Sequence, residues 1–241
     1  MLYFSLDGFF GKSSKVHHTG GLMYIAVEGV IGVGKTSLAR LLQVPFGSNL
    51  LLEIFEENPF LSKFYEDRVR YAFQTQMFFL LSRYYQQRRS VPKLMEDEEK
   101  ELLVSDYTFD KDALFARITL DGDELEMYGQ LHTVLAEKIP PPDLIVYLRA
   151  TTDTLMHRIT LRDRPYERSM ERDYIGLVNT TYDEYFLHPK NEKRVLVIDS
   201  NELDFVRNED DLQWIGDRIR QRMHMPPFQI ELPVGEEDRI K

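Results

Sequence analysis

The most constraining stretch of the chain is Gly29-Val-Ile-Gly-Val-Gly34-Lys35-Thr36, which satisfies the pattern G-x-x-x-x-G-K-[ST]. It follows a short apolar run, Tyr24-Ile-Ala-Val-Glu28, and leads into Thr36–Gln43, a helical stretch stopped by Pro45 and Gly47. Strand, glycine turn and helix form the context in which backbone amides can cradle phosphates, and glycine is needed where the chain approaches them closely. On this reading Gly29, Gly32, Val33, Gly34, Lys35 and Thr36 bind ATP or another nucleoside triphosphate. Lys35 reaches the outer phosphates, and Thr36 ligates Mg²⁺. Gly11-Lys12-Ser13 has neither the upstream glycine nor the strand and is discounted.

Further apolar runs at Leu50–Phe55, Leu102–Asp106, Leu144–Leu148 and Arg194–Ile198 read as strands covered on both faces. Helical patterns fall near Val69–Ser90, Lys111–Leu120, Asp123–Glu137, Thr152–Leu161, Glu171–Phe186 and Asp210–Met223, and Asn58-Pro59 suits the start of another. Strand alternating with helix predicts an α/β fold of three layers, a parallel sheet flanked by helices. The expected organisation is an N-terminal extension over 1–22, one domain over 23–223 and a proline-punctuated tail over 224–241. The chain has 241 residues, 43% of them hydrophobic, enough for one sizeable core. A net charge of −10 argues against nucleic acid as a partner, and no apolar run is long enough to span a bilayer. The absence of cysteine excludes disulfides and thiolate metal sites and fits the cytoplasm.

Three features bear on the phosphoryl acceptor. Glu53 falls where strands of such a sheet deliver residues beside the phosphate loop, as a proton acceptor or, with Glu56 and Glu57, as a solvent-facing acid. Asp106 ends an apolar strand, the place for an acid that helps hold Mg²⁺, or for a helix cap. Arg158 and Arg162, and separately Arg164, Arg168 and Arg172, recur at four-residue spacing, as a lid over phosphate or as a solvated charged face interleaved with acids.

Together these motifs resemble the deoxynucleoside kinases, the family that includes deoxycytidine, deoxyguanosine and deoxyadenosine kinases, most closely its bacterial branch. The resemblance covers nearly all of residues 23–205 and rests on the phosphate loop, Glu53-Ile-Phe-Glu-Glu-Asn-Pro-Phe-Leu61, Phe64-Tyr65-Glu66, Phe73-Gln-Thr-Gln76, Leu81-Ser82-Arg83 and the arginine-rich lid. It implies a P-loop kinase fold and Glu53 as general base for a nucleoside 5′-hydroxyl. It also implies Tyr65 and Glu167 on the sugar 3′-hydroxyl, Gln76 on the nucleobase with Arg83 beside it, and Arg158, Arg162 and Arg164 at the phosphates. Homodimers are usual in the family. The acid–arginine–serine triplet common after its third strand is here Asp106-Tyr107-Thr108, so the arginine is missing. Lys111, about one helical turn further on, is expected to supply that cation, with Asp112 facing the base.

The expected reaction is ATP-dependent phosphorylation of a small-molecule deoxynucleoside, purine favoured, for nucleotide salvage. A nucleoside monophosphate kinase of the thymidylate kinase type is the first rival, although an acceptor that already carries phosphate needs no carboxylate base. A nucleotide-dependent switch with slow hydrolysis is the second, and sugar ligands would serve no purpose in it.

Overall fold

The computed structural model describes residues 23–225, apart from residue 56, residues 97–99 and residue 101. The expected N-terminal extension and residues 226–241 lie outside the described residues. Five parallel strands, β1 (Met23–Gly29), β2 (Asn49–Leu51), β3 (Leu102–Ser105), β4 (Leu144–Arg149) and β5 (Val195–Asp199), form one sheet in the order β2-β3-β1-β4-β5. Around it lie α1 (Lys35–Gln43), α2 (Leu61–Glu66), α3 (Arg68–Met95), α4 (Asp110–Thr119), α5 (Gly122–Ala136), α6 (Thr152–Arg162), α7 (Arg172–Phe186) and α8 (Glu209–Arg222).

The near-continuous apolar runs follow from this layering. In β1, Ile25 and Val27 enter the main core, whereas Tyr24 and Ala26 enter a smaller core with Leu103, Tyr107 and Val91 of α3. Both faces of the strand are thereby dry, and alternation with polar residues disappears. Helix starts are set locally: Asp67 accepts from the amide of Arg70 at α3, Thr151 from Thr154 at α6, and Asn208 from Asp210 at α8.

Among the boundaries that differ from expectation, two bear on the site, whereas α3 simply runs on past Ser90 to Met95. The strand expected over Leu50–Phe55 ends at Leu51. Past that point a side chain takes over from the ladder, because the amide of Glu53 donates to Asp106 Oδ1 at 2.7 Å. Gln86 Nε2 meanwhile donates to the carbonyl of Leu52 at 2.8 Å. Asn58 does not begin a helix; it forms a local turn, accepting from the amide of Phe60 at 3.0 Å, and α2 starts at Leu61.

β1 is central, so its carboxyl end, where ligands bind in open parallel sheets, opens between β3 and β4. Gly29 sits there at φ +149°, and a Cβ on it would lie 2.5 Å from the carbonyl oxygen of Leu148. Gly29→Ala should therefore cost about 1–3 kcal/mol of stability, read as a lowered Tm together with lost nucleotide binding; wild-type values of both would contradict this packing argument.

Candidate active site

Gly34 caps α1 in a left-handed conformation, φ +106°, with no side chain bonded to the helix start. The first amides of α1 thus remain available to an anion. Lys35 folds over the loop, donating from Nζ to the carbonyls of Gly29 and Val30 at 2.8 and 3.1 Å. Burial, and then the neighbouring Lys111, push its ammonium down to about 8. A phosphate brought to this cation would restore its proton affinity. Below the loop, the fully buried Glu28 accepts from the amide of Gly29 at 3.0 Å and from the amide and hydroxyl of Thr108 at 2.6 and 3.0 Å. It fastens the loop to the chain leaving β3, and burial pushes its carboxyl up.

Asp106 joins the two halves of the site. Its Oδ2 accepts from Thr36 Oγ1 at 2.5 Å, and its Oδ1 accepts from the amide of Glu53. It caps no helix, since α4 starts after Phe109 without a side-chain cap. Glu53 is buried among cations: Lys111 Nζ donates to its Oε2 at 2.6 Å, and Arg83 grips Oε1 through Nε at 2.9 Å and through Nη2. Arg83 also bridges to Asp112. Burial alone would raise the Glu53 carboxyl, but Arg83 and then Lys111 outweigh it and hold the group well below the usual carboxylate range. Tyr107 turns away into the smaller core and donates to Gln86 Oε1 at 2.6 Å. At the position of the missing arginine the chain therefore builds core, while Lys111 on the first turn of α4 brings a cation to Glu53.

A cleft runs from the phosphate loop to α3. Gly32, Lys35, Thr36, Glu53, Arg83 and Lys111 line one part of it. Tyr65, Gln76, Arg162, Arg164 and Glu167 line the rest, so residues scattered over more than a hundred positions meet there. Asp106 and Asp112 stand behind this lining. Arg158 also lies outside it: Nη2 donates to the carbonyl of Ser200 at 2.6 Å and Nη1 to that of Val33 at 3.3 Å, tying the loop to the segment after β5.

The lid differs from one continuous arginine face. α6 ends at Arg162, Asp163 turns left-handed at φ 50°, and Pro165–Glu167 forms a single 3₁₀ turn. Arg162 clasps the buried Glu167 with two nitrogens, at 2.6 and 3.1 Å. Arg164 lies 4.5 Å above the ring of Phe55 and donates to the Tyr166 hydroxyl at 3.2 Å. Tyr166 in turn stacks on Tyr65, with centroids 6.2 Å apart and planes 13° from parallel. Arg168 and Arg172 instead make surface pairs with Asp163 and Asp153, the solvated arrangement expected of a charge run. Glu28 and Tyr166 escaped sequence reading; an acid closing a buried strand, and an aromatic between Arg164 and Glu167, were their only signals.

Removing one partner from a buried ion cluster leaves uncompensated charge, so Arg83→Met should cost about 3–5 kcal/mol at pH 7. Because the Glu53 carboxyl is held down in the folded chain, its share of stability is complete above its ordinary value of 4.5 and is lost as pH falls through the folded value. The gap between wild type and Arg83→Met in urea unfolding should thus narrow below about pH 4.5; a gap independent of pH would contradict the pairing.

Residues 25–224 match the family profile described as deoxynucleoside kinase. The chain is 35% identical over 207 residues to the deoxyguanosine kinase of Bacillus subtilis (strain 168), an alignment covering 82% of this chain and 96% of the relative. It is 28% identical to the deoxyadenosine/deoxycytidine kinase of the same strain, covering 87% and 97%. The fold superposes on a deoxyadenosine kinase from M. mycoides with bound dCTP, with a TM-score of 0.69 at 24% identity, covering 83% of this chain and all of the other. With the phosphate loop, an acid-bearing cleft and this match along nearly the whole described chain, the protein belongs to the deoxynucleoside kinase family and is a phosphotransferase of the P-loop kinase fold.

Proposed function

We propose that this enzyme transfers the γ-phosphoryl group of ATP or another nucleoside triphosphate to the 5′-hydroxyl of a purine deoxynucleoside, deoxyguanosine or deoxyadenosine. The observation that carries the reading is Glu53, an ionised carboxylate lining the same cleft as the phosphate-loop residues Lys35 and Thr36. A monophosphate kinase has no use for such an acid. The purine preference draws on the relatives' names, since the B. subtilis enzyme at 35% identity is a deoxyguanosine kinase.

In the proposed mechanism the acceptor sugar rests on Tyr65 and Glu167 while Gln76 and Arg83 face the base, Asp112 holding Arg83 from behind the lining rather than facing the base itself. The 5′-hydroxyl donates to Glu53. A carboxylate with so little proton affinity takes the proton late, which suits a loose transition state in which the attacking oxygen has gained little bonding. Lys111 bridges the two roles: as it turns from Glu53 toward the incoming phosphoryl group, it stabilises charge there and leaves Glu53 a stronger base. Lys35, Arg162 and Arg164 supply the remaining positive charge, Arg162 by exchanging Glu167 for phosphate. Arg158 serves ATP through the loop carbonyls it holds. The Thr36 hydroxyl and Asp106 carboxylate lie side by side, a hard oxygen pair that fits Mg²⁺. When bound, that ion offsets phosphate charge. We further propose a homodimer, supported by exposed Leu81 and Tyr85 on α3 and Met127 and Val134 on α5.

ADP release measured with each of the four common deoxynucleosides, with deoxynucleoside monophosphates and with no acceptor tests the reading. It predicts turnover dependent on a purine deoxynucleoside and a 5′-monophosphate product; acceptor-independent hydrolysis, or dependence on a monophosphate, would overturn it. Lys111→Ala should lower kcat on the order of 100-fold, and unchanged kcat and KM would remove Lys111 from the mechanism.

A further inference from the structure

Thr75 stands apart from the threonines that lie beyond the first turn of other helices. Thr119, Thr133, Thr160, Thr180 and Thr181 each donate their hydroxyl to the carbonyl four residues earlier, at 2.8 to 3.0 Å. Thr75 Oγ1 makes no such bond. It is buried with no partner among the described residues, and Thr75 lines the cleft. Gln76 Oε1 beside it is likewise unpartnered. Backbone tension is not the reason, because the carbonyl of Thr75 is held by Asn58 Nδ2 at 3.2 Å, which ties this turn of α3 to the segment that follows Glu53.

A buried hydroxyl with no partner costs free energy that a valine of the same shape would avoid. Its persistence in the wall of a cleft points to a ligand as the missing partner. Thr75, Phe79 and Arg83 all line the cleft and recur every four residues, one stripe along α3. Eight residues separate Thr75 from Arg83, about 12 Å along the helix. Arg83 is bonded to Glu53, so Thr75 stands two turns from the position of the 5′-hydroxyl.

We infer that Thr75 is a specificity-determining residue whose hydroxyl hydrogen-bonds the edge of the purine base, next to Gln76. The inference rests on the deoxynucleoside reading above. Because a hydroxyl both donates and accepts, it complements an edge that mixes ring nitrogens with exocyclic groups, and a site built to bond such an edge discriminates against bases that lack it.

The test compares wild type, Thr75→Val, Thr75→Ala and Thr75→Ser with deoxyguanosine, deoxyinosine, deoxyadenosine and deoxycytidine at saturating ATP. Loss of one hydrogen bond to the base should lower kcat/KM for the best purine roughly 10-fold in Thr75→Val and Thr75→Ala, mainly through KM. The spread among bases should narrow, the KM for ATP should stay put, and Thr75→Ser should retain the wild-type ranking. Wild-type ratios across the panel in Thr75→Val and Thr75→Ala, or an equal loss on every base, would overturn the inference. A wild-type enzyme that phosphorylates none of the four would instead overturn the deoxynucleoside reading, and this inference with it.

Discussion

One carboxylate holds the two halves of the cleft together. Asp106 takes the hydroxyl of Thr36, at the start of α1, on one oxygen and the amide of Glu53, just past β2, on the other. The triphosphate loop and the acid proposed to serve the acceptor are thereby fixed to the same group at the end of β3. The same contact ends the β2 ladder after Leu51, freeing the chain to carry Glu53 over the cleft. Glu28 repeats the device one strand away, linking Gly29 to Thr108 from beneath.

Electrostatics then decide how this geometry works. Two cations face Glu53 and one of them, Arg83, also holds Asp112, so the formal charges balance among the four members of the cluster. The lid has the same logic on a smaller scale, with Arg162 clasping Glu167. In both places a buried acid holds a cation close to where phosphate charge would arrive. Such pairs stabilise the fold little by themselves, but each keeps an arginine or lysine desolvated and oriented, which lowers the reorganisation needed when charge develops.

The sheet and the phosphate loop were legible because their signals are local. Apolar runs covered on both faces read as strands, and the glycine pattern lay between strand and helix. The cation at Lys111 was legible only through resemblance, from the absence of an arginine at Tyr107; the distance of 2.6 Å to Glu53 comes from the fold. Glu28 and Tyr166 were hidden because their partners, Thr108 and Tyr65, lie 80 and 101 positions away in sequence. The end of β2 was misread for a similar reason, since nothing near Leu52 announces that an acid 53 positions later will capture the next amide. Arg164, Arg168 and Arg172 share a spacing but not a helix, because Arg164 and Arg168 flank the single 3₁₀ turn Pro165–Glu167 and α7 starts only at Arg172.

The central claim is that Glu53 acts on the acceptor's hydroxyl while its neighbours hold it ionised. Glu53→Gln keeps the shape of the side chain and removes its charge, so rapid-quench measurement of the phosphoryl-transfer step, paired with calorimetric binding of the deoxynucleoside, tests that claim most directly. A general base contributes about 10²–10⁴ in rate, and the account predicts a loss in that range with nucleoside affinity changed by no more than a few-fold. A transfer rate within tenfold of wild type would contradict it.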